Sequence, residues 1–456
     1  MKEVHIECAG AGKTYGIARK IIDILDDCPV GKNIYAVTYT NYAVKQIKDE
    51  LILAIKDVPN NVVIKTVHSF LLDNIIYPYS SFVKGESINT CSVEELTGKP
   101  EWKAKRKRVL KDSGVIHSSD VAQYARSLLV TMSGDKVTDK KRKGIVIDYF
   151  ISDIYCLFVD EAQDLDGYLF DLMLKVICRL EHYYFVGDPF QALWAADKYK
   201  EFTERIAEQE GIAPSINTVS RRIPACIVPL CNRILPEGFA LSSINESGLI
   251  EYIFLSELDN TERRGLASAN VFSYIKTKTD IFLTATEHFG LTQAFKQILT
   301  QKYPAYDVEA LCSTVKSRII EVGLDKCLMQ LKIRLSKQDY AELASRFCRK
   351  NEAGIIVEAI QKIKGLENDT AYFIVCNSLL ELLLGVKNDL NKETNFLYVA
   401  LTRTKRRLLF VIDDDDGLKL NFQKRKIDIN AAMGELGIKK AVIKDWLEGN
   451  VYALER

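Results

Sequence analysis

An excess of charge of one sign is missing from this 456-residue chain, in which 62 Lys and Arg stand against 61 Asp and Glu. A protein that is basic overall is excluded. Nucleic-acid binding through a local patch is not, because a whole-chain sum says nothing about where the charges lie. The 11 cysteines include no Cys-x-x-Cys pair and their number is odd, which argues against a disulfide framework or a cysteine-rich zinc site. Reduced, mostly buried thiols in a cytosolic protein are expected instead. Long apolar runs are missing too: none approaches the ~20 residues of a membrane span, and a Gly-rich turn by Gly10 leaves no room for a secretory leader. The expectation is a cytoplasmic chain without a membrane partner. With only ten Pro and 24 Gly, and no repeat, no flexible linker stands out, and domain boundaries must come from changes in pattern.

What is present alternates. Val4 to Ile6, Ile34 to Val37 and Val62 to Thr66 are β-rich, and helical stretches from Lys13 to about Asp26 and from Tyr42 to Ile55 separate them. Strands alternating with helices predict a parallel sheet with helical crossovers. The rhythm breaks over 72–150, predicted to be largely helical. It resumes at Tyr155 to Val159 and Tyr183 to Val186, and a second series covers 249–299 and 352–412. Within the break, residues 99–143 hold 13 Lys and Arg against five Asp and Glu, a local excess of eight positive charges.

Two constellations carry chemistry. The turn Ala9-Gly10-Ala11-Gly12-Lys13-Thr14, between a strand and a helix, reads as a phosphate-binding loop. Its glycines let backbone N–H groups approach phosphate oxygens, the helix N-terminus adds partial positive charge, Lys13 reaches the terminal phosphates and Thr14 can hold Mg²⁺. Glu7 stands where the strict pattern has Gly. Downstream, the apolar strand ending at Val159 leads into Asp160-Glu161-Ala162-Gln163-Asp164. Asp160 can coordinate Mg²⁺, and Glu161 can orient and deprotonate an attacking water.

At this point the chain resembles the UvrD/Rep/PcrA-like helicases of superfamily 1, and further motifs match in order. Ala36-Val-Thr-Tyr-Thr-Asn41 resembles that family's first DNA-contacting motif and Thr66-Val-His-Ser-Phe70 the next. Gly187-Asp188-Pro-Phe-Gln191 resembles the motif whose Gln senses the γ-phosphate. Ser220-Arg221-Arg222-Ile223-Pro224 with Ile227, Ile363-Lys364-Gly365-Leu366-Glu367, and Tyr398-Val-Ala-Leu-Thr-Arg403 resemble the motifs of the second motor domain.

The resemblance implies an α/β fold of two RecA-like parallel-sheet P-loop motor domains, each with a mainly helical insertion, the second one short. The first motor domain would comprise 1–71 and 151–215, with a basic helical insertion at 72–150. The second would comprise 216–300 and 352–456, with a short insertion at 301–351. ATP and Mg²⁺ would be the cofactors, with Gly365 and Glu367 also on the nucleotide, Arg403 an arginine finger, and Arg222 or its neighbour Arg221 the second cation on the γ-phosphate. The partner would be single-stranded or 3′-tailed DNA, bound by Thr38, Tyr39, Asn41, Thr66, His68 and Trp194, and moved in the 3′ to 5′ direction. Tyr39 and Trp194 either stack on bases or pack as core aromatics. The basic run Lys103 to Arg108 either meets phosphates or is a solvated helix face.

The chain departs from the family in lacking an upstream adenine-reading Gln motif, in carrying Gln361 where His is common, and in its short second insertion. Nothing after Arg403 resembles a nuclease, and Asp413 to Asp416 reads as a solvated turn closing a strand. Compact relatives also occur beside a nuclease in bacterial defence modules, the Gabija helicase subunit among them. A rival expectation is therefore an ATP-gated sensor of DNA ends that controls a partner nuclease.

Overall fold

The structure is a computed structural model that describes residues 1–94, 96, 99–165, 167–193, 196–259, 262, 272–275, 300, 334, 336, 357–386, 392–414 and 416–448. The chain divides into two units, Met1–Thr218 and Val219–Arg456. Trp194 and nearly all of the expected second insertion, 301–351, lie outside the described residues.

Unit 1 is built on a six-stranded, wholly parallel sheet. In chain order its strands are β1 (Lys2–Glu7), β2 (Asn33–Thr38), β3 (Val62–Thr66), β6 (Ile154–Val159), β7 (Tyr183–Gly187) and β8 (Ser215–Asn217), laid side by side as β3-β2-β6-β7-β1-β8. A short parallel pair, β4 (Thr90–Ser92) with β5 (Val115–His117), lies apart from it. The central strands are apolar almost throughout because both faces are covered. Alternate residues point to opposite faces. Leu157, Val159, Tyr183 and Phe185 therefore join one apolar cluster, while Cys156, Phe158, Tyr184 and Val186 join another with Ile17 and Ile21 of α1 (Lys13–Leu25) and Ile47 and Leu51 of α2 (Asn41–Ile55).

The segment between β3 and β6 is mostly helical, as expected: α3 (Val67–Leu71), a π-helical turn at Leu72–Ile76, α4 (Tyr77–Lys84), α5 (Pro100–Asp112), α6 (Val121–Leu129) and α7 (Val137–Ser152). The β4–β5 pair was not expected there. Helix α5 carries the basic run on an exposed face, with Trp102 72% exposed. Arg106, Lys107 and Lys111 pair with Glu94, Asp120 and Glu86, whereas Lys103, Lys105 and Arg108 have no ion pair among the described residues.

Unit 2 repeats the architecture. Its main sheet, also wholly parallel, contains β11 (Leu249–Phe254), β12 (Phe272–Ile275), β13 (Val357–Ala359), β14 (Asn368–Val375), β15 (Thr404–Ile412) and β16 (Lys439–Lys440), in the order β13-β12-β14-β15-β11-β16. Before it, β9 (Val219–Pro224) pairs with β10 (Ser242–Asn245). Numbered by chain order within each main sheet, both units read 3-2-4-5-1-6. Near the C-terminus Trp446 is fully buried against Ile253, Tyr372 and Leu409, its indole N–H donates to Glu251 Oε2 (2.6 Å), and the Arg407 guanidinium lies 4.2 Å from its ring.

Two expectations are corrected here. The thiols are not mostly buried: among the described cysteines Cys8, Cys156 and Cys231 are buried, Cys28, Cys91 and Cys376 half-buried, and Cys178 and Cys226 exposed, the last two at a helix end and in a turn. The acidic run does follow β15, but Asp414 is only 7% exposed and accepts hydrogen bonds from Ser256 N (2.8 Å) and Ser256 Oγ (2.5 Å), so it is no solvated turn residue.

Candidate functional site

The site in unit 1 collects at the carboxyl ends of the parallel strands, where loops after β1, β6 and β7 meet. The loop after β1 turns sharply at Gly10 (φ 74°) and Gly12 (φ 100°), both in the left-handed region that side chains with a Cβ rarely adopt. Gly12 is the residue before α1, so the first-turn N–H groups of that helix face the loop. Ala9 is fully buried beneath, and the Ala11 N–H closes the turn onto the Cys8 carbonyl (3.2 Å). Lys13 is 8% exposed, its ammonium donating to the carbonyls of Glu7 (3.4 Å) and Cys8 (3.3 Å).

Across from this loop, the Thr14 hydroxyl donates to Asp160 Oδ2 at 3.3 Å. Asp160 is 1% exposed at the end of β6, where its N–H bonds the Val37 carbonyl and its Oδ1 accepts the Glu161 N–H (2.9 Å). Burial, and then the neighbouring Glu161 carboxylate, push the Asp160 carboxyl up to about 7 against the pull of Lys13. A cation beside Asp160 offsets that cost. No group of three or more His, Cys, Asp or Glu able to hold a metal exists among the described residues. One carboxylate and one hydroxyl beside a phosphate loop therefore fit Mg²⁺, which keeps waters and binds substrate phosphates rather than needing an all-protein cage.

Glu161 adopts φ 54°, ψ 39°, a left-handed conformation costing a non-glycine residue about 1–3 kcal/mol and characteristic of functional sites. From it runs a chain of hydrogen bonds. Gln163 Nε2 donates to Glu161 Oε2, Gln163 Oε1 accepts the Asp188 N–H (2.9 Å), and Asp188 Oδ2 accepts from Gln191 Nε2 (2.8 Å). The chain fixes the orientation of Glu161 and links it to Gln191, which is buried. Sequence reasoning gave Gln163 and Asp188 no role, although each sits inside a quoted motif.

Gly187 explains how Gln163 gets so close. A Cβ there would lie 2.6 Å from Gln163 Oε1 and 2.8 Å from the Gln163 backbone nitrogen. Gly187→Ala should therefore destabilise the protein by about 1–3 kcal/mol, the usual range for overpacking. Urea unfolding checks it, and a neutral result would mean that the Gln163 contact is not tight.

The expected strand-contacting residues line the same sheet edge but are engaged differently. Thr38 ends β2 fully buried, and its Oγ1 has no hydrogen-bond partner among the described residues. Tyr39 is half-buried against the core, and Asn41 is exposed at the start of α2. Thr66 caps α3, accepting the Ser69 N–H (3.3 Å), and exposed His68 bonds the Ser118 carbonyl through Nε2 (3.0 Å).

Unit 2 gathers its own cluster where β9 and β10 meet the amino ends of β14 and β15. Arg222 Nη1 donates to Glu367 Oε2 (2.6 Å), and Lys405 Nζ meets Glu367 Oε1 (2.6 Å). The Arg222 Nε is buried without a hydrogen-bond partner among the described residues, while Arg221 is exposed. Gly365 turns with φ 81° just before Glu367. Asn245, which sequence reasoning missed, donates to the carbonyls of both Arg222 (2.7 Å) and Lys405 (2.8 Å). No motif spacing flags it, since the two strands it joins are distant in sequence. Arg403 is 1% exposed, with Nε donating to Val399 O (3.0 Å), Nη1 to Leu366 O (3.3 Å) and Nη2 to Thr402 Oγ1 (3.0 Å).

Burial raises the Glu367 pKa, but Arg222 and Lys405 together hold it below the ordinary carboxylate value. A depressed folded pKa contributes stability that is full above the unfolded value, about 4.3, and is lost as pH falls through the folded one. The stability deficit of Glu367→Gln should thus be complete at pH 6 and shrink below pH 4, as read from urea midpoints. A deficit independent of pH would remove the ion triad as its cause.

Residues 4–197 match the family model of the AAA domain. No curated protein matches the chain. Among solved structures, one titled "The structure of PRRSV helicase" is similar at 12% identity and a TM-score of 0.34, the alignment covering all of this chain and 68% of that one. At that TM-score the likeness bears on neither function nor mechanism. The AAA match spans Lys13, Thr14, Asp160, Glu161 and Gln191, and with their geometry it makes unit 1 a nucleotide-binding P-loop domain. No described helix is long and apolar enough to cross a membrane.

Proposed function

We propose that the protein is an ATP-driven translocase or helicase that acts on single-stranded or 3′-tailed DNA, moving 3′ to 5′. The observation that carries the reading is the convergence of Lys13, Thr14, Asp160, Glu161 and Gln191 at one sheet edge. In this reading the loop N–H groups and the start of α1 bind the phosphates, and Lys13 exchanges its loop carbonyls for phosphate oxygens. Thr14 and Asp160 would hold Mg²⁺, which when bound neutralises charge on the phosphates. Glu161, oriented by Gln163, accepts a proton from the attacking water, and Gln191 orients the γ-phosphate. By the resemblance alone, Arg222 and Arg403 would supply positive charge to the phosphoryl-transfer transition state, and Gly365 and Glu367 would contact the nucleotide.

For the strand, the reading assigns Thr38, Tyr39, Asn41, Thr66 and His68, with Trp194 by resemblance alone. Phosphate contacts come from Lys103, Lys105 and Arg108 on α5, the cations of the basic run left without an ion pair among the described residues. Such contacts are independent of sequence and weaken steeply with salt.

The test is ATP hydrolysis with and without single-stranded DNA, followed by unwinding of 3′- and 5′-tailed duplexes. Stimulation by single strands with unwinding of the 3′-tailed duplex is expected. Hydrolysis indifferent to DNA would sink the motor reading. Stimulated hydrolysis without unwinding would move the assignment to an ATP-gated DNA-end sensor acting with a nuclease in phage defence.

A further inference from the structure

Buried hydroxyls are normally hydrogen-bonded, because an unpaired one costs free energy. In this chain buried Thr203, Thr402 and Thr404 follow the rule, each donating to a backbone carbonyl (2.8, 3.2 and 3.0 Å). Thr38 does not. It is 0% exposed, and its Oγ1 has no hydrogen-bond partner among the described residues. Valine would fill the same space without that cost, so the hydroxyl calls for a reason.

The sheet register supplies one. β2 and β6 run parallel with Val37 opposite Val159, so the next residues, Thr38 and Asp160, stand side by side at the strand ends, where the Asp160 N–H bonds the Val37 carbonyl (2.9 Å). Alternate residues of a strand share a face. Ile34 and Ala36 before Thr38, and Cys156 and Phe158 before Asp160, all belong to the cluster that packs on Ile17 and Ile21 of α1. Thr38 and Asp160 therefore face α1 as well, and α1 supplies the Thr14 hydroxyl that reaches Asp160 Oδ2 (3.3 Å). On its other side Thr38 is paired in register with Thr66, whose Oγ1 is engaged by Ser69, accepting from its N–H (3.3 Å) and donating to its Oγ (3.0 Å). The direction left to the Thr38 hydroxyl is toward Asp160 and Thr14.

We propose that Thr38 is a positioning residue of the cation site, its hydroxyl finding its partner in the hydration of a divalent cation held by Thr14 and Asp160. Mg²⁺ bound by two protein oxygens keeps several waters, and a hydroxyl can both accept from a water and donate to one. Partners of this outer kind orient what surrounds a metal and raise its affinity. The proposal rests on the reading of Thr14 and Asp160 as the protein's cation ligands. The resemblance groups Thr38 with the strand contacts, but its side chain is sealed inside the sheet, whereas Asn41 of the same motif is exposed.

The test is titration of Mg²⁺ into the full chain at a fixed concentration of a fluorescent, non-hydrolysable ATP analogue, with melting measured in EDTA. For Thr38→Val the Mg²⁺ concentration that gives half the tightening of nucleotide binding should rise about 10–100-fold, while binding in EDTA stays within about twofold of wild type. The same variant should melt in EDTA no lower than wild type, because it removes an unpaired buried hydroxyl, whereas loss of a structural threonine would lower melting there. Thr38→Ser, which keeps the hydroxyl, should restore the wild-type Mg²⁺ response. An unchanged midpoint, lower melting of Thr38→Val in EDTA, or a serine that fails to restore the midpoint would overturn the proposal. Loss of single-strand affinity at an unchanged midpoint would also overturn it and return Thr38 to the strand. A wild type whose nucleotide binding ignores Mg²⁺ would remove the reading of Thr14 and Asp160 itself, and this proposal with it.

Discussion

Glu161→Gln is expected to slow ATP hydrolysis by about 10²–10⁴-fold, the usual contribution of a positioned general base, while nucleotide binding stays near wild type. The substitution keeps the size and the hydrogen-bonding capacity that face Gln163, so the chain from Gln163 through Asp188 to Gln191 can persist. What is lost is the negative charge that accepts a proton. The same change removes the carboxylate that helps raise the pKa of Asp160, so the cation site beside Thr14 should not weaken. Single-turnover phosphate release, paired with binding of a fluorescent nucleotide, separates the two effects. Lost binding together with lost turnover would make Glu161 a structural residue and not the base.

Arg222→Ala should cost comparably or more, about 10³–10⁵-fold if Arg222 stabilises transition-state charge as phosphate-contacting arginines do elsewhere. Arg221→Ala should remain close to wild type. The two are neighbours in sequence, but only Arg222 is held to Glu367, with its backbone fixed by Asn245 and Ser220. Arg403→Ala is expected to lower both turnover and melting temperature, because its guanidinium supports the carbonyls of Val399 and Leu366 inside unit 2. Both arginines also hold structure, Arg222 through Glu367 and Arg403 through the Val399 and Leu366 carbonyls, so hydrolysis is compared at a temperature where melting shows each variant still folded. The opposite ranking of Arg221 and Arg222 would exchange their roles.

The parallel α/β class was legible because the central strands of both sheets are covered on both faces and read as apolar runs, as in Tyr155 to Val159 and in β15. The phosphate loop was legible because glycine at 10 and 12 answers a local backbone need. What stayed hidden depends on contacts between distant segments. The pairing of Cys91 with Ile116 in β4–β5, and the double bond of Asn245 to Arg222 and Lys405, leave no periodic trace. The burial of Asp414 was misread for the same reason: an acidic run signals solvent unless its partner, Ser256, is seen beside it.

The place of β1 between β7 and β8 bears on how the chain is made. Lys2 pairs with Tyr183, so β1 waits for 181 further residues before its neighbour β7 exists. At ribosomal speeds of about 5–20 residues per second, that is roughly 10–40 s in which the future phosphate loop hangs from an unpaired strand. Strands β2, β3 and β6 can assemble with their helices meanwhile, and β1 then inserts between β7 and β8 as one of the last acts of unit 1. Order in the phosphate loop is in this sense a report that unit 1 is finished: a ribosome-bound chain cut short before Tyr183 carries all the residues of the loop but lacks β7 and β8, the two strands that flank β1.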